Sequence, residues 1–242
     1  MTSYSIRYSK KAKHLRLSVS VLKGVEVVVP DYVDKVRAQK MADRLIQDKQ
    51  DWLKNTLKRL NISPESKPSL SLVLPEKLDL KALDQVLSIT YQQENSEWLT
   101  IEDMSKGVLV VKGDLQNKAL VLKCLEDYLK QLAKSFLVPR LLFFSENFDL
   151  KVNKVTIRGQ KTRWGSCSSK KNISLNYKLL FIEKQLADYV LLHELAHTQC
   201  LNHSAAFWAI LEKLCSNCVE LDKRLNEAGN EIPGWVLKLT QI

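Results

Sequence analysis

The stretch His193-Glu194-Leu195-Ala196-His197-Thr198-Gln199-Cys200-Leu201-Asn202-His203 decides how the rest of the chain is read. It holds three of the four histidines in the sequence. On an α-helix, side chains four residues apart lie on one face, one turn above the other, so His193 and His197 can meet one ion from the same side. Glu194 is rotated about 100° from His193 and does not join that pair. It can reach a water held in an open coordination position, which is the H-E-x-x-H arrangement of a metal hydrolase with the glutamate as general base. His203 cannot share the face if the helix runs straight on. The helix must stop near Thr198 to Cys200 and the chain must turn back. Asn202 is the expected turning point, because asparagine tolerates the left-handed conformation that ends many helices. Three imidazoles plus one water is a catalytic zinc layout, whereas a structural site would close the fourth position with another side chain.

The flanks agree. Val190, Leu191, Leu192, Leu195 and Ala196 are uncharged, so the segment reads as a buried helix that carries polar groups only where an ion satisfies them. The competing reading is a core helix with stray histidines. That reading buries imidazoles and a carboxylate without partners, which is costly.

The chain has 242 residues, 45% hydrophobic and 26% charged, the balance of a globular protein of one large domain or two small ones. Met1 to Lys10 lacks the apolar core of a signal peptide. The most apolar stretch, Phe136 to Phe144, is interrupted by Pro139 and Arg140 and is far short of a membrane span. The five cysteines are an odd set without framework spacing, and are read as reduced thiols in a cytoplasmic protein with no membrane association. Cys215 and Cys218 form a C-x-x-C, but no second pair completes a zinc site. Net charge is +10 and unevenly spread. Residues 1–60 carry 14 Lys or Arg against 6 Asp or Glu, and residues 151–180 carry 8 Lys or Arg and no acid. Such blocks attract nucleic acid, acidic peptides or phosphate compounds, or they are solvated faces that keep the protein in solution.

In chain order, Tyr4 to Ser20 and Val25 to Val29 predict a β-hairpin or small meander with its turn near Lys23-Gly24. Asp31 to Leu60 predicts helix, capped by Asp31 or Asp34, with a break near Gln47 to Gln50. Ser63 to Leu74, with two prolines and four serines, is the linker candidate. Val86 to Tyr91, Trp98 to Ile101 and Val108 to Val111 predict three antiparallel strands. Asn117 to Leu137 predicts a helix that Pro139 kinks or ends, with Leu141 to Phe148 continuing as a further helix. Lys151 to Arg158 and Ile173 to Leu175 predict strands around a polar, turn-like segment. Glu183 to Thr198 is the metal helix, Ser204 caps a helix over Ala205 to Ser216, and a last helix runs from Val219 to Ala228. The class is α+β. Three regions are expected: 1–65 as an amino-terminal hairpin and helix, 66–115 as a small β-rich insertion, and 116–242 as the domain with the metal helix.

Lys161-Thr162-Arg163-Trp164-Gly165-Ser166-Cys167, Ile173-Ser174-Leu175-Asn176, His193-Glu194-x-x-His197 and Asn202-His203-Ser204 ahead of Phe207-Trp208 together resemble the YgjP-like metallopeptidase family. The basic amino-terminal hairpin ending in Pro30, and Trp52 in the next helix, fit the same pattern. The resemblance covers most of the chain and is most specific over 158–210. It implies a zincin-like fold in the carboxy-terminal half, with the metal helix packed on a small antiparallel sheet, related to the SprT and WLM proteases. It also implies zinc on His193, His197 and His203, with Glu194 as general base. The histidine spacing equals that of metzincins, but Cys200 stands where those enzymes have a glycine and no methionine turn is assigned, so the chain is not read as a metzincin.

The expected activity is zinc-dependent hydrolysis of a peptide or protein substrate by a zinc-bound water. Arg163, Trp164 and Asn176 are candidates for substrate binding or oxyanion stabilisation, or for packing beneath the site. The strand at Ile173 to Leu175 is a candidate for holding an extended peptide by edge pairing. Tyr189 is second shell or core, and Cys200 is a small filler, a fourth ligand or an inhibitory thiolate. Two other reactions use the same residues: hydrolysis of a nucleotide phosphoanhydride, and SprT-like cleavage of proteins on nucleic acid bound by the basic blocks 1–60 and 151–180.

Overall fold

A computed structural model of the chain describes residues 3–20, 24–59, 73–96, 98–104 and 107–239. The expected turn at Lys23, the end of the first helical region at Leu60 and most of the 63–74 linker candidate lie outside these residues. The chain divides into two compact units, 1–71 and 72–242.

In the first unit, β1 (Tyr4–Ser9), β2 (Arg16–Ser20) and β3 (Gly24–Pro30) form a sheet in the order β1-β3-β2. β2 and β3 pair antiparallel as a hairpin predicts, while β1 runs parallel to β3. Helix α1 (Lys35–Asp48) is capped by Asp34, whose side chain accepts from the Arg37 amide at 2.9 Å. A break at Lys49 separates it from α2 (Gln50–Arg59). The valines of β3 make the unit's core: Val27 and Val29 pack on Ala38 and Ala42, and Val25 on Leu53 and Leu57.

The second unit carries two sheets and five helices among the described residues. β4 (Lys77–Leu80), β5 (Gln85–Gln93), β6 (Thr100–Met104) and β7 (Val108–Gly113) form a sheet in the order β4-β5-β7-β6. β5 and β7 run parallel, not antiparallel as their spacing suggested, because β6 crosses to the far side of β7. β4 is a strand the sequence reading did not anticipate.

Helix α3 (Lys118–Asn147) continues through Pro139 as one element of 30 residues. The expected end or break does not occur. Proline in a helix interior costs about 3 kcal/mol. Leu137 and Leu141, on either side of it, are fully buried, and each contributes about 1.5–3 kcal/mol by leaving water. Continuing the helix therefore outweighs breaking it.

β8 (Lys154–Arg158), β9 (Gly165–Cys167) and β10 (Asn172–Asn176) form the small sheet, ordered β8-β10-β9, with β8 parallel and β9 antiparallel to β10. A buried 3-10 turn, Tyr177–Phe181, leads to α4 (Lys184–Ala196). α5 (Ala205–Leu214), α6 (Cys218–Ala228) and α7 (Gly234–Leu239) close the chain. α7 had no counterpart in the sequence reading. One apolar core joins the β4–β7 sheet, α3, β10 and α4, from Leu78 to Val236. Arg140 of α3 and Asp188 of α4 pair side by side, which fixes α4 against α3.

Candidate metal centre

Helix α4 ends at Ala196, with His197 in the capping position. The turn beyond it is tied by backbone bonds from Thr198 to Leu195 (2.9 Å) and from Gln199 and Cys200 to Ala196 (3.0 and 3.1 Å). Asn202 does not take the left-handed conformation: among the described residues the non-glycine positions with positive φ are Asp84, Asp149 and Lys171. Tight bonding at the helix end turns the chain instead. The Cys200 thiol donates to the Asn202 carbonyl and side chain at 3.4 and 3.3 Å. It is thus spent on the turn and is not part of the histidine cluster. Ser204 stands at the N-cap of α5 without capping it through its side chain, and its hydroxyl lies 3.5 Å from the Cys200 thiol.

The turn brings His203 back to the other two. One ligand atom from each of His193, His197 and His203 lies within 4.8 Å of the others. The Nε2 atoms of His193 and His203 are 3.1 Å apart. Two nitrogens each 2.0–2.1 Å from a tetrahedral zinc would be about 3.3 Å apart, so the His193–His203 pair is spaced to share one ion. The Nδ1 atoms of His193 and His197 have neighbours elsewhere, which leaves their Nε2 atoms for an ion. His197 Nδ1 donates to the Cys200 carbonyl at 2.9 Å. His193 Nδ1 is 3.5 Å from the Tyr189 hydroxyl, which itself donates to Asp222 at 2.9 Å. Phe207 of α5 forms an apolar floor, its ring centre 4.5–4.9 Å from all three imidazoles. Burial and the neighbouring imidazoles push His193 down to about 4, and burial lowers His197, which favours the neutral form that binds metal.

Glu194 is 5% exposed, and its Oε2 is buried with no hydrogen-bond partner. Burial pushes its carboxyl up to about 8, against a weaker opposing pull from Arg163. The carboxylate is wedged against β9: a Cβ added at Gly165 would lie 2.5 Å from Glu194 Oε1. Any side chain at that position would displace the carboxylate. The sequence offered a signal here, glycine within Arg163-Trp164-Gly165-Ser166, but no way to tell which group approaches it.

His193, Glu194, His197 and His203 open into a cleft of about 650 Å³ whose opposite wall is Thr162 to Cys167. Arg163 and Trp164 line this cleft, Arg163 exposed and Trp164 half-buried on the core. Asn176 does not line it. Its amide donates to the carbonyls of Gln160 and Arg163, both at 2.9 Å, and its oxygen accepts from the Lys178 amide. It shapes the wall from behind. The strand at Ile173 to Leu175 is not free for edge pairing either, since β10 lies between β8 and β9. The free edge at the cleft belongs to β9. Bonds from Asn176 N to Trp164 O (2.8 Å) and from Ser168 N to Asn172 O (3.0 Å) set the alternation. Main-chain groups of Gly165 and Cys167 therefore point away from β10. Neither β9 nor Asp222, on a different helix, was legible from local pattern.

A family description of the YgjP-like metallopeptidase domain matches residues 13–228. The chain belongs to the YgjP-like family. Membership makes it a metal-dependent peptidase. Two solved structures of metallopeptidase zymogens also match. Abylysin of Pyrococcus abyssi is 27% identical over 37% of this chain and 91% of its own, with a TM-score of 0.34. Jannalysin of Methanocaldococcus jannaschii is 20% identical over 38% of this chain and 94% of its own, also with a TM-score of 0.34. No curated protein matches the chain. Among the described residues no helix is long and apolar enough to cross a membrane.

Proposed function

We propose that this YgjP-like protein is a zinc peptidase in which His193, His197 and His203 hold the metal and Glu194 is the general base. The observation that carries the reading is the convergence of three imidazoles beside a buried carboxylate oxygen that has no partner. Carboxylates at such depth are ordinarily paired, and an unpaired one beside a histidine cluster points to a proton-transfer task.

Bound zinc would supply Lewis acidity for the attacking water and for the carbonyl under attack. The chain's own residues do the rest. The Glu194 carboxylate takes the proton of the attacking water and later delivers it to the leaving amine. Gly165 leaves room for that carboxylate to approach. The outward main-chain groups of Gly165 and Cys167 pair with an extended substrate along β9, so that the scissile bond lies over the histidines. Arg163 and Trp164 contact the substrate from the cleft wall, while Asn176 acts through them as a positioning residue. Tyr189 and Asp222 hold the His193 ring in orientation.

Elemental analysis of the purified protein together with turnover of a quenched peptide panel tests this reading. One zinc per chain and cleavage that stops on chelation are expected. Phosphate release from nucleoside triphosphates without peptide cleavage would replace it with phosphoanhydride hydrolysis.

A further inference from the structure

Adjoining the histidine cleft is a second cavity of about 220 Å³. It shares Thr162, Arg163 and Trp164 with the histidine cleft. Three of its lining residues, Lys161, Arg163 and Lys178, are cationic and none is acidic. Lys178 is 3% exposed, and its ammonium makes one hydrogen bond, to the Gln160 carbonyl at 3.2 Å. An ammonium has three protons to donate, so two remain for a ligand. Lys161 and Arg163 are exposed and belong to none of the ion pairs among the described residues. They sit within the 151–180 block that contains no acid at all. Cationic surface is ordinarily interspersed with acids, and none lines this cavity.

From these residues we propose that the cavity is a specificity pocket that takes an acidic side chain of the peptide substrate, close to the scissile bond. The proposal rests on the peptidase reading and names its substrate class. A peptide running along β9 passes the Arg163-Trp164 wall directly. A glutamate or aspartate turned toward that wall meets Arg163 and Lys161 at the rim and Lys178 within. Burial disfavours the charged form of Lys178 and the nearby Glu126 carboxylate offsets this only in part, so a substrate carboxylate arriving beside it stabilises the ammonium further. The volume suits a side chain or small anion. Nucleic acid would use the exposed cations but leave the buried Lys178 without a role, so the acidic peptide is the better fit.

The test uses the full-length, metal-loaded protein and quenched decapeptides carrying Glu, Ala or Lys at each position around the cleavage point. A Glu at one position should raise kcat/KM over Ala by about tenfold, the size of one charge-assisted hydrogen bond. Lys161→Glu should collapse that Glu-to-Ala ratio toward one. Lys178→Met should do the same, and Lys161→Glu keeps the test decisive if the buried substitution does not fold. Binding of the same peptides to Glu194→Gln protein gives a readout independent of turnover. If acidic peptides bind in a Lys161-dependent way but none is cleaved, the pocket stands and the peptidase reading fails. Equal kcat/KM for Glu, Ala and Lys peptides overturns the pocket while leaving the peptidase intact. Tighter Lys161-dependent binding of a single-stranded oligonucleotide, or of inorganic phosphate, than of any acidic peptide also overturns it.

Discussion

Two glutamates lie about equally deep in this protein, Glu126 of α3 at 7% exposure and Glu194 of α4 at 5%. The chain treats them in opposite ways. Glu126 Oε2 is held by Lys123 at 2.6 Å and Lys130 at 3.1 Å, three residues before it and four after, on the same helical face. Glu194 has its Oε2 left bare and a glycine backbone pressed against the other oxygen. Burying a carboxylate is costly unless it is paired. The first glutamate is a structural group whose cost has been offset locally. The second keeps its cost, and the folded state tolerates it because α4 is anchored by the core and by Arg140–Asp188. A bare buried acid beside three imidazoles is the sharper sign of chemistry than burial or charge alone.

The comparison breaks first at Glu194. Glu194→Gln keeps the shape and removes the proposed base. Peptide turnover should fall by about a thousandfold or more, while zinc content by elemental analysis stays at the wild-type level. Retained turnover with metal bound would make the bare carboxylate a structural oddity. Gly165→Ala attacks the same oxygen from outside. The added methyl would have to occupy space 2.5 Å from Glu194 Oε1. A displaced base should lower kcat by about a hundredfold, the penalty for roughly 1 Å of misplacement, with little change in metal content. A Gly165→Ala enzyme with full kcat would show that the wedge does not position the base.

Features that a local rule determines are legible in this sequence, and features that depend on distant partners are not. The i, i+4 spacing of His193 and His197, and the need for His203 to return, were legible because helix geometry fixes them. The means of return was not. Asn202 has the right propensity, yet the hydrogen bonds of His197 and the Cys200 backbone and thiol make the turn. Alternation identified β5 and β7 as strands, but alternation is the same for parallel and antiparallel pairs. β9 is three residues of glycine, serine and cysteine, too short to show any period. Pro139 was read by its local effect, and the burial of Leu137 and Leu141 overrode it. Asp222 had no signal at all, because its role exists only once α6 lies against α4.

That distant support gives a smaller effect. Tyr189→Phe removes the hydroxyl that lies between His193 and Asp222. Substitutions behind a ligand cost about 10–100-fold in metal affinity, and the 3.5 Å separation from His193 points to the lower end. Competition with a zinc-binding dye should show a loss of about tenfold, with kcat at saturating zinc near wild type. An unchanged affinity would mean that the Tyr189–Asp222 pair serves packing alone.

Glu126→Gln is the converse test, and its effect on activity should be nil. The amide keeps the size of the side chain and an acceptor for one lysine, but loses the charge that both Lys123 and Lys130 face. Because Lys123 is about half exposed, water screens part of that loss. The expected destabilisation is about 1–2 kcal/mol in denaturant unfolding, well below the cost of breaking a fully buried pair. Turnover per folded molecule and zinc content should match wild type. If Glu126→Gln instead lowered turnover as Glu194→Gln does, pairing would no longer separate a structural acid from a catalytic one, and the case for Glu194 would need support from metal-dependent chemistry alone.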